Sequence, residues 1–141
     1  MVVCVDGSST AEAALPIATS WAIALHDPVE VVIVADPEAQ QEMARSVTNA
    51  GDLPSESGYP HRMARRIEAD LGRPVNYEVL HGKHPGRAIV DHLESEQASL
   101  AIVSTHGATG LDRVLIGSVA MDIVHRSPCP VLVTRPPHLP R

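Results

Sequence analysis

Two stretches of this sequence carry residue types that can do chemistry at a turn. The first is Asp6-Gly7-Ser8-Ser9, a carboxylate, a glycine and two hydroxyls directly after the apolar run of residues 2–5. Asp6 either presents its carboxylate to a ligand or only organises its own Asp-Gly turn, and the pattern leaves both open. The second is Ser104-Thr105-His106-Gly107-Ala108-Thr109-Gly110, followed by an apolar stretch and then Gly117-Ser118 at the head of a helical pattern. Glycines let a backbone approach a ligand closely, and the unpaired amides of a helix N-terminus attract anions. Ser118 either adds a hydroxyl donor to a bound phosphate or caps the helix. The chemistry on offer is anion binding, and residues 100–118 are its best-marked seat.

Other chemistries fail on spacing. There is no GxxxxGK[ST], since Lys83 is the only lysine, and no GxGxxG follows the first apolar run. A hydrolase elbow, GxSxG, is also missing. Of the eight histidines, His81, His84 and His92 lie nearest one another, without HExxH spacing or a nearby cysteine, and read as solvated loop residues rather than metal ligands. Cys4 and Cys129, the only cysteines, lie in or beside apolar runs and read as buried free thiols rather than a redox pair. No catalytic nucleophile and no metal ligand set is marked.

Composition narrows the partners. The 141 residues suit one domain, and 44% hydrophobic against 20% charged residues is the balance of a globular protein. A formal net charge of −6, with one lysine and ten arginines, opposes nonspecific binding to nucleic acid or an anionic membrane. Trp21, Tyr59 and Tyr77 are the only aromatics, too few for a base-stacking platform. The N-terminus has no basic region, its apolar run stops at Asp6-Gly7, and no later run approaches membrane-spanning length, which together predict a cytoplasmic protein.

The elements that must position the two turns follow from periodicity. β-Branched runs at residues 2–5, 29–34, 100–103 and 131–133 read as buried strands. Residues 75–80 alternate, with Val75, Tyr77 and Val79 on one face, and read as a half-exposed edge strand. Between them, Ala11, Ala14, Leu15, Ala18, Ala22 and Leu25 mark one helix, with a Ser9/Glu12 capping box and a bend at Pro16. Met63, Ile67 and Leu71 mark a second, Ile89 and Leu93 a third with Pro85 in its first turn, and Val119, Ile123 and Val124 a fourth that stops near Ser127. Strict alternation of strand and helix predicts an α/β fold, a five-stranded parallel sheet with helices on both faces. Residues 36–60 lack periodicity, apart from a short helix allowed over residues 38–47, and read as a long loop. Residues 1–135 form the predicted domain and residues 136–141 a tail or linker. With its first strand at Val2, the chain reads as one module that a longer protein could contain.

Val5-Asp6-Gly7-Ser8, Ser104-Thr105-His106-Gly107, Gly117-Ser118-Val119 and Cys129-Pro130-Val131-Leu132-Val133 together resemble the universal stress protein family over nearly the whole chain. Its nucleotide-binding members carry a glycine, two residues, a glycine, nine residues, then glycine with serine or threonine. Here Gly107 and Gly117-Ser118 match with nine residues between them, while Ser104 stands where the first glycine is expected. Its Cβ narrows the backbone's approach to a ligand.

The resemblance implies a Rossmann-like sheet of the adenine nucleotide alpha hydrolase type, in strand order 3-2-1-4-5, and a regulatory module of the stress response that binds ATP, with Mg2+ or Mn2+ on its phosphates. It implies Asp6 and Val34 on the adenine side with Val103 and Ser104 nearby, and Gly107, Gly117, Ser118 and Val119 around the ribose and phosphates. It further implies a homodimer through the edge strand at Val131–Thr134, and little or no turnover. The rival is a nucleotide-free dimerisation or scaffold domain, which Ser104 favours and the two later motif positions oppose. A ligase or transferase on the same scaffold is a third reading, because fold alone does not confer chemistry.

Overall fold

The structure, a computed structural model, describes residues 1–37, 58–105 and 116–135. The four β-branched runs and the alternating segment become strands: β1 (Val2–Cys4), β2 (Glu30–Ala35), β3 (Asn76–His81), β4 (Ala101–Ser104) and β5 (Val131–Thr134). The helices are α1 (Ser9–Glu12), α2 (Leu15–Leu25), α3 (Gly58–Leu71), α4 (Pro85–Ser95) and α5 (Ser118–Arg126). All ladders are parallel and the strand order is β3-β2-β1-β4-β5. The alternating strand is therefore an edge, and β1 lies in the middle with Val3 in register with Val31 on one side and Ile102 on the other.

Because strand side chains alternate between faces, the central strands feed two apolar layers. On one face Val3, Val31 and Ile102 meet Leu15, Ala18 and Ala22 of α2 and Met63 and Ile67 of α3. On the other, Val2, Val32, Ala101 and Val103 meet Ile89 and Leu93 of α4 and Ala120 and Ile123 of α5. Ile67, Leu93, Ile102 and Ile123 are fully buried, and removing each such side chain from water contributes about 1.5–3 kcal/mol. Ala14, Ala18 and Ala22, four residues apart and wholly buried, let α2 lie close on the sheet.

Local details differ from the sequence reading. The first helix is broken, not bent: α1 ends at Glu12 and α2 restarts with Pro16 in its first turn, where no intrahelical N–H is required. The N-cap is Ser8 rather than Ser9, its hydroxyl accepting from the amide of Ala11 at 3.2 Å. Glu12 consequently does not close a capping box and turns instead to Tyr59 and Arg66. In α5, Val119 and Val124 are exposed, and Ala120 with Ile123 form the buried stripe. His92 is no loop residue: it lies in α4, with Nε2 2.8 Å from Glu30 Oε2. The long aperiodic segment is shorter than expected, since α3 begins at Gly58; the short helix allowed over residues 38–47 lies outside the described residues. Among the described residues no helix is long and apolar enough to cross a membrane.

Candidate functional site

From β1 the chain winds outward to β2 and β3, then returns to the other side of β1 as β4. The reversal leaves a crevice past the carboxyl ends of β1 and β4, where parallel sheets place ligands. A cavity of about 290 Å³ occupies it.

Asp6, Val34, Val103, Ser104, Gly117, Ser118 and Val119 all line this cavity, so seven of the eight residues singled out from sequence converge there. Gly107, the eighth, lies outside the described residues.

The Asp6 turn is built locally. Gly7 has φ +87°, a backbone conformation that a side chain would strain. Asp6 Oδ1 accepts from the Ser8 amide at 2.9 Å and from the Ser8 hydroxyl at 2.5 Å, while Ser8 Oγ in turn caps α1. Asp6 thus organises its turn and lines the cavity at once, so the two readings of this residue are compatible.

Across the crevice, the Gly117 amide donates to Thr105 O at 2.6 Å and the Thr105 amide to Thr134 O at 2.8 Å. The first ties the end of β4 to the start of α5, and the second ties it to the end of β5. Gly117 is the N-cap, with no side-chain cap bond, and Ser118 is the first helical residue rather than the cap. The first-turn amides of Ser118, Val119 and Ala120 therefore belong to an uncapped helix end at the cavity wall. Ser104 Oγ is the one buried side-chain polar atom without a hydrogen-bond partner among the described residues.

Sequence reading missed much of the apolar wall, namely Cys4, Val5, Ala11, Pro85, Ile89, Ala120 and Ile123, and the neighbouring Thr105. Cys4 was detectable in principle, since it precedes Asp6 by two and period two puts both on one face. Burial pushes its thiol up to about 12, with Cys129 and Glu30 adding to the rise. The contributions of α4 depend on helix packing across the sheet, and no local pattern carries them.

Comparison with known proteins places this geometry in context. The model of the universal stress protein family matches residues 1–135. A universal stress protein of Methanocaldococcus jannaschii is 36% identical over 76 residues, covering 54% of this chain and 44% of its own length. One from Mycobacterium tuberculosis is 30% identical over 142 residues, covering 96% of this chain and 45% of its own. The chain spans less than half the length of these curated relatives. Among solved structures, a universal stress protein from Lactobacillus plantarum superposes with a TM-score of 0.77 at 21% identity, over 95% of both chains. A universal stress protein in complex with cAMP gives 0.71 at 22%, over 95% of this chain and 94% of that one. One from Archaeoglobus fulgidus in complex with dAMP gives 0.56 at 22%, over 94% of each. At these identities the structural likeness is one of fold.

Proposed function

The chain belongs to the universal stress protein family, and on that premise we propose that it is a regulatory module that binds an adenine nucleotide, ATP foremost, in the cavity between β1 and β4. The observation that carries the reading is the lining of that cavity, which joins apolar side chains to an uncapped helix N-terminus.

The residues present suit such a ligand. Val34, Val103, Ile89 and Ile123 offer an apolar slot of the kind a purine fills, and Asp6 adds a carboxylate beside it. The amides of Ser118 and Val119 suit phosphate oxygens, as does the Ser118 hydroxyl. Ser104 Oγ, unpartnered in the protein, suits a polar ligand atom reached by rotation about χ1. Gly107 keeps its proposed place near the phosphates on the strength of the motif alone. Mg2+ or Mn2+ would travel on the nucleotide's phosphates. The bound nucleotides of the cAMP and dAMP complexes support an adenine nucleotide as the ligand class.

Turnover is proposed to be slow or absent. Among the described lining side chains only Cys4 and Asp6 ionise, and burial keeps the Cys4 thiol neutral. The module is proposed to act in the cytoplasm by changing the surface it shows to partners when nucleotide binds.

Mass spectrometry of nucleotide released from the purified chain tests the reading, backed by equilibrium titration with ATP. An adenine nucleotide, or saturable binding at millimolar ATP or better, is expected. Neither being found would leave the nucleotide-free scaffold reading standing.

A homodimer through β5 is part of the proposal. β5 is a sheet edge, and its residues Val131, Leu132 and Val133 are only half-buried in the monomer. Sedimentation equilibrium is expected to give twice the chain mass; a monomer at high concentration would overturn this element.

A further inference from the structure

α1 is a single turn of helix, too short to hold its own shape in water, yet it carries Ala11 on the cavity wall and follows closely on Asp6. Glu12, its last residue, attaches it to the rest of the fold. One carboxylate oxygen accepts from the Tyr59 phenol at 3.2 Å, and the other from Arg66 Nη1 at 2.7 Å. Tyr59 and Arg66 stand two turns apart on α3, so one face of that helix presents both donors. Burial and the Glu12 carboxylate both push the Tyr59 phenol up, which keeps it a donor.

The two donors are unequal. The side chains of Arg66 and Glu12 are 54% and 28% exposed, and an ion pair so open to solvent contributes little. The Tyr59 ring packs against the core, and its bond to an ionised carboxylate is the stronger tie. From Glu12 the hydrogen bonds run on to the cavity. The Glu12 amide donates to Ser8 O at 3.1 Å. Ser8 in turn donates to Asp6 Oδ1, from its amide at 2.9 Å and from its hydroxyl at 2.5 Å, and its Oγ accepts from the Ala11 amide at 3.2 Å. Asp6 and Ala11 both line the cavity.

We propose that Glu12 is a positioning residue for the cavity: its carboxylate moors α1 to α3, and through Ser8 the mooring holds Asp6 and Ala11 at the wall. The mooring rests on these hydrogen bonds, and its consequence for binding rests on the proposed nucleotide site. Loss of the mooring translates into an affinity change of about fivefold.

Glu12→Ala tests it, because alanine is the best helix former and any loosening of α1 is then not a matter of propensity. ATP titrations are compared for the wild type, Glu12→Ala and Glu12→Gln, alongside hydrogen exchange without nucleotide at the Ser8, Ala11 and Glu12 amides. Glu12→Ala is expected to bind ATP about fivefold more weakly and to exchange faster at these three amides, with exchange in α5 unchanged. Glu12→Gln keeps an oxygen that accepts from Tyr59 and is expected to recover most of both changes. Should Glu12→Ala fold poorly, Tyr59→Phe removes the stronger donor, retains the ring, and is expected to give the same pair of changes. Unchanged exchange in α1, or faster exchange with unchanged affinity in a chain that binds ATP, would overturn the proposal. Faster exchange in a chain whose wild type binds no nucleotide would sink the nucleotide reading alone and support the mooring.

Discussion

Gly117→Val is expected to weaken ATP binding about 100-fold while the chain stays folded. Gly117 has φ −67° and ψ 157°, an extended conformation that valine adopts without strain. Its amide bond to Thr105 O is a backbone bond and survives the change. The cost to the free protein is the exchange of a tolerated N-cap residue for a poor one, about 1 kcal/mol and a shift of a few degrees in Tm. The cost to the complex is larger, since the isopropyl group would stand where the proposed phosphates meet the first-turn amides of α5. A titration beside a thermal melt checks both halves. Normal ATP binding by the folded variant would mean that the phosphates do not sit at this helix end.

Gly86→Ala should destabilise the chain by about 2 kcal/mol, although alanine is the better helix former. Gly86 is buried in the first turn of α4, and a Cβ there would stand 2.6 Å from Asp122 Cβ of α5. Rotating the Asp122 side chain does not help, because its Cβ is fixed to the α5 backbone. The two helices must separate, and both carry cavity wall, through Pro85 and Ile89 on one and Ala120 and Ile123 on the other. Nucleotide affinity should therefore fall with stability. Chemical denaturation is the measurement, and Asp122→Gly is the control: the double variant is expected to lose less than the two single losses together. A more stable Gly86→Ala chain would mean that helix propensity outweighs the close approach.

These sites mark where sequence reading succeeded and where it stopped. Strand positions were legible because parallel strands buried on both faces must be apolar and β-branched, and β3 betrayed itself as an edge by alternating. The strand order came from the family resemblance, since periodicity alone does not choose neighbours. Pro16 was read as a bend because its pattern of alanines runs on without interruption; the break shows only in where the backbone bonds go. Val119 and Val124 mark the last helix in the sequence yet are exposed on it, because helical spacing marks a stripe without saying which side faces the sheet.

The cavity was half legible. Asp6, Gly117 and Ser118 sit in turns whose chemistry is local, whereas Cys4, Ile89 and Ile123 reach it through packing between distant segments. Tyr59 was hidden in a segment read as aperiodic. Its hydroxyl bonds to Glu12, 47 residues away in sequence, and no spacing rule connects the two.

Ser104 is sharpened by the structure. In sequence it was only a departure from glycine; in the fold its hydroxyl is buried, unpartnered and part of a cavity-lining residue. An unpaired buried hydroxyl is unfavourable, which is why Ser104 is proposed to meet a polar ligand atom.

Isothermal calorimetry of ATP against the purified wild-type chain and Gly117→Val, both checked for folding, tests the central claim most directly. The account predicts saturable binding at one site per wild-type chain, at millimolar concentration or tighter, and its near-complete loss in the variant. No saturable binding to the wild type, or equal binding by the two, would contradict it.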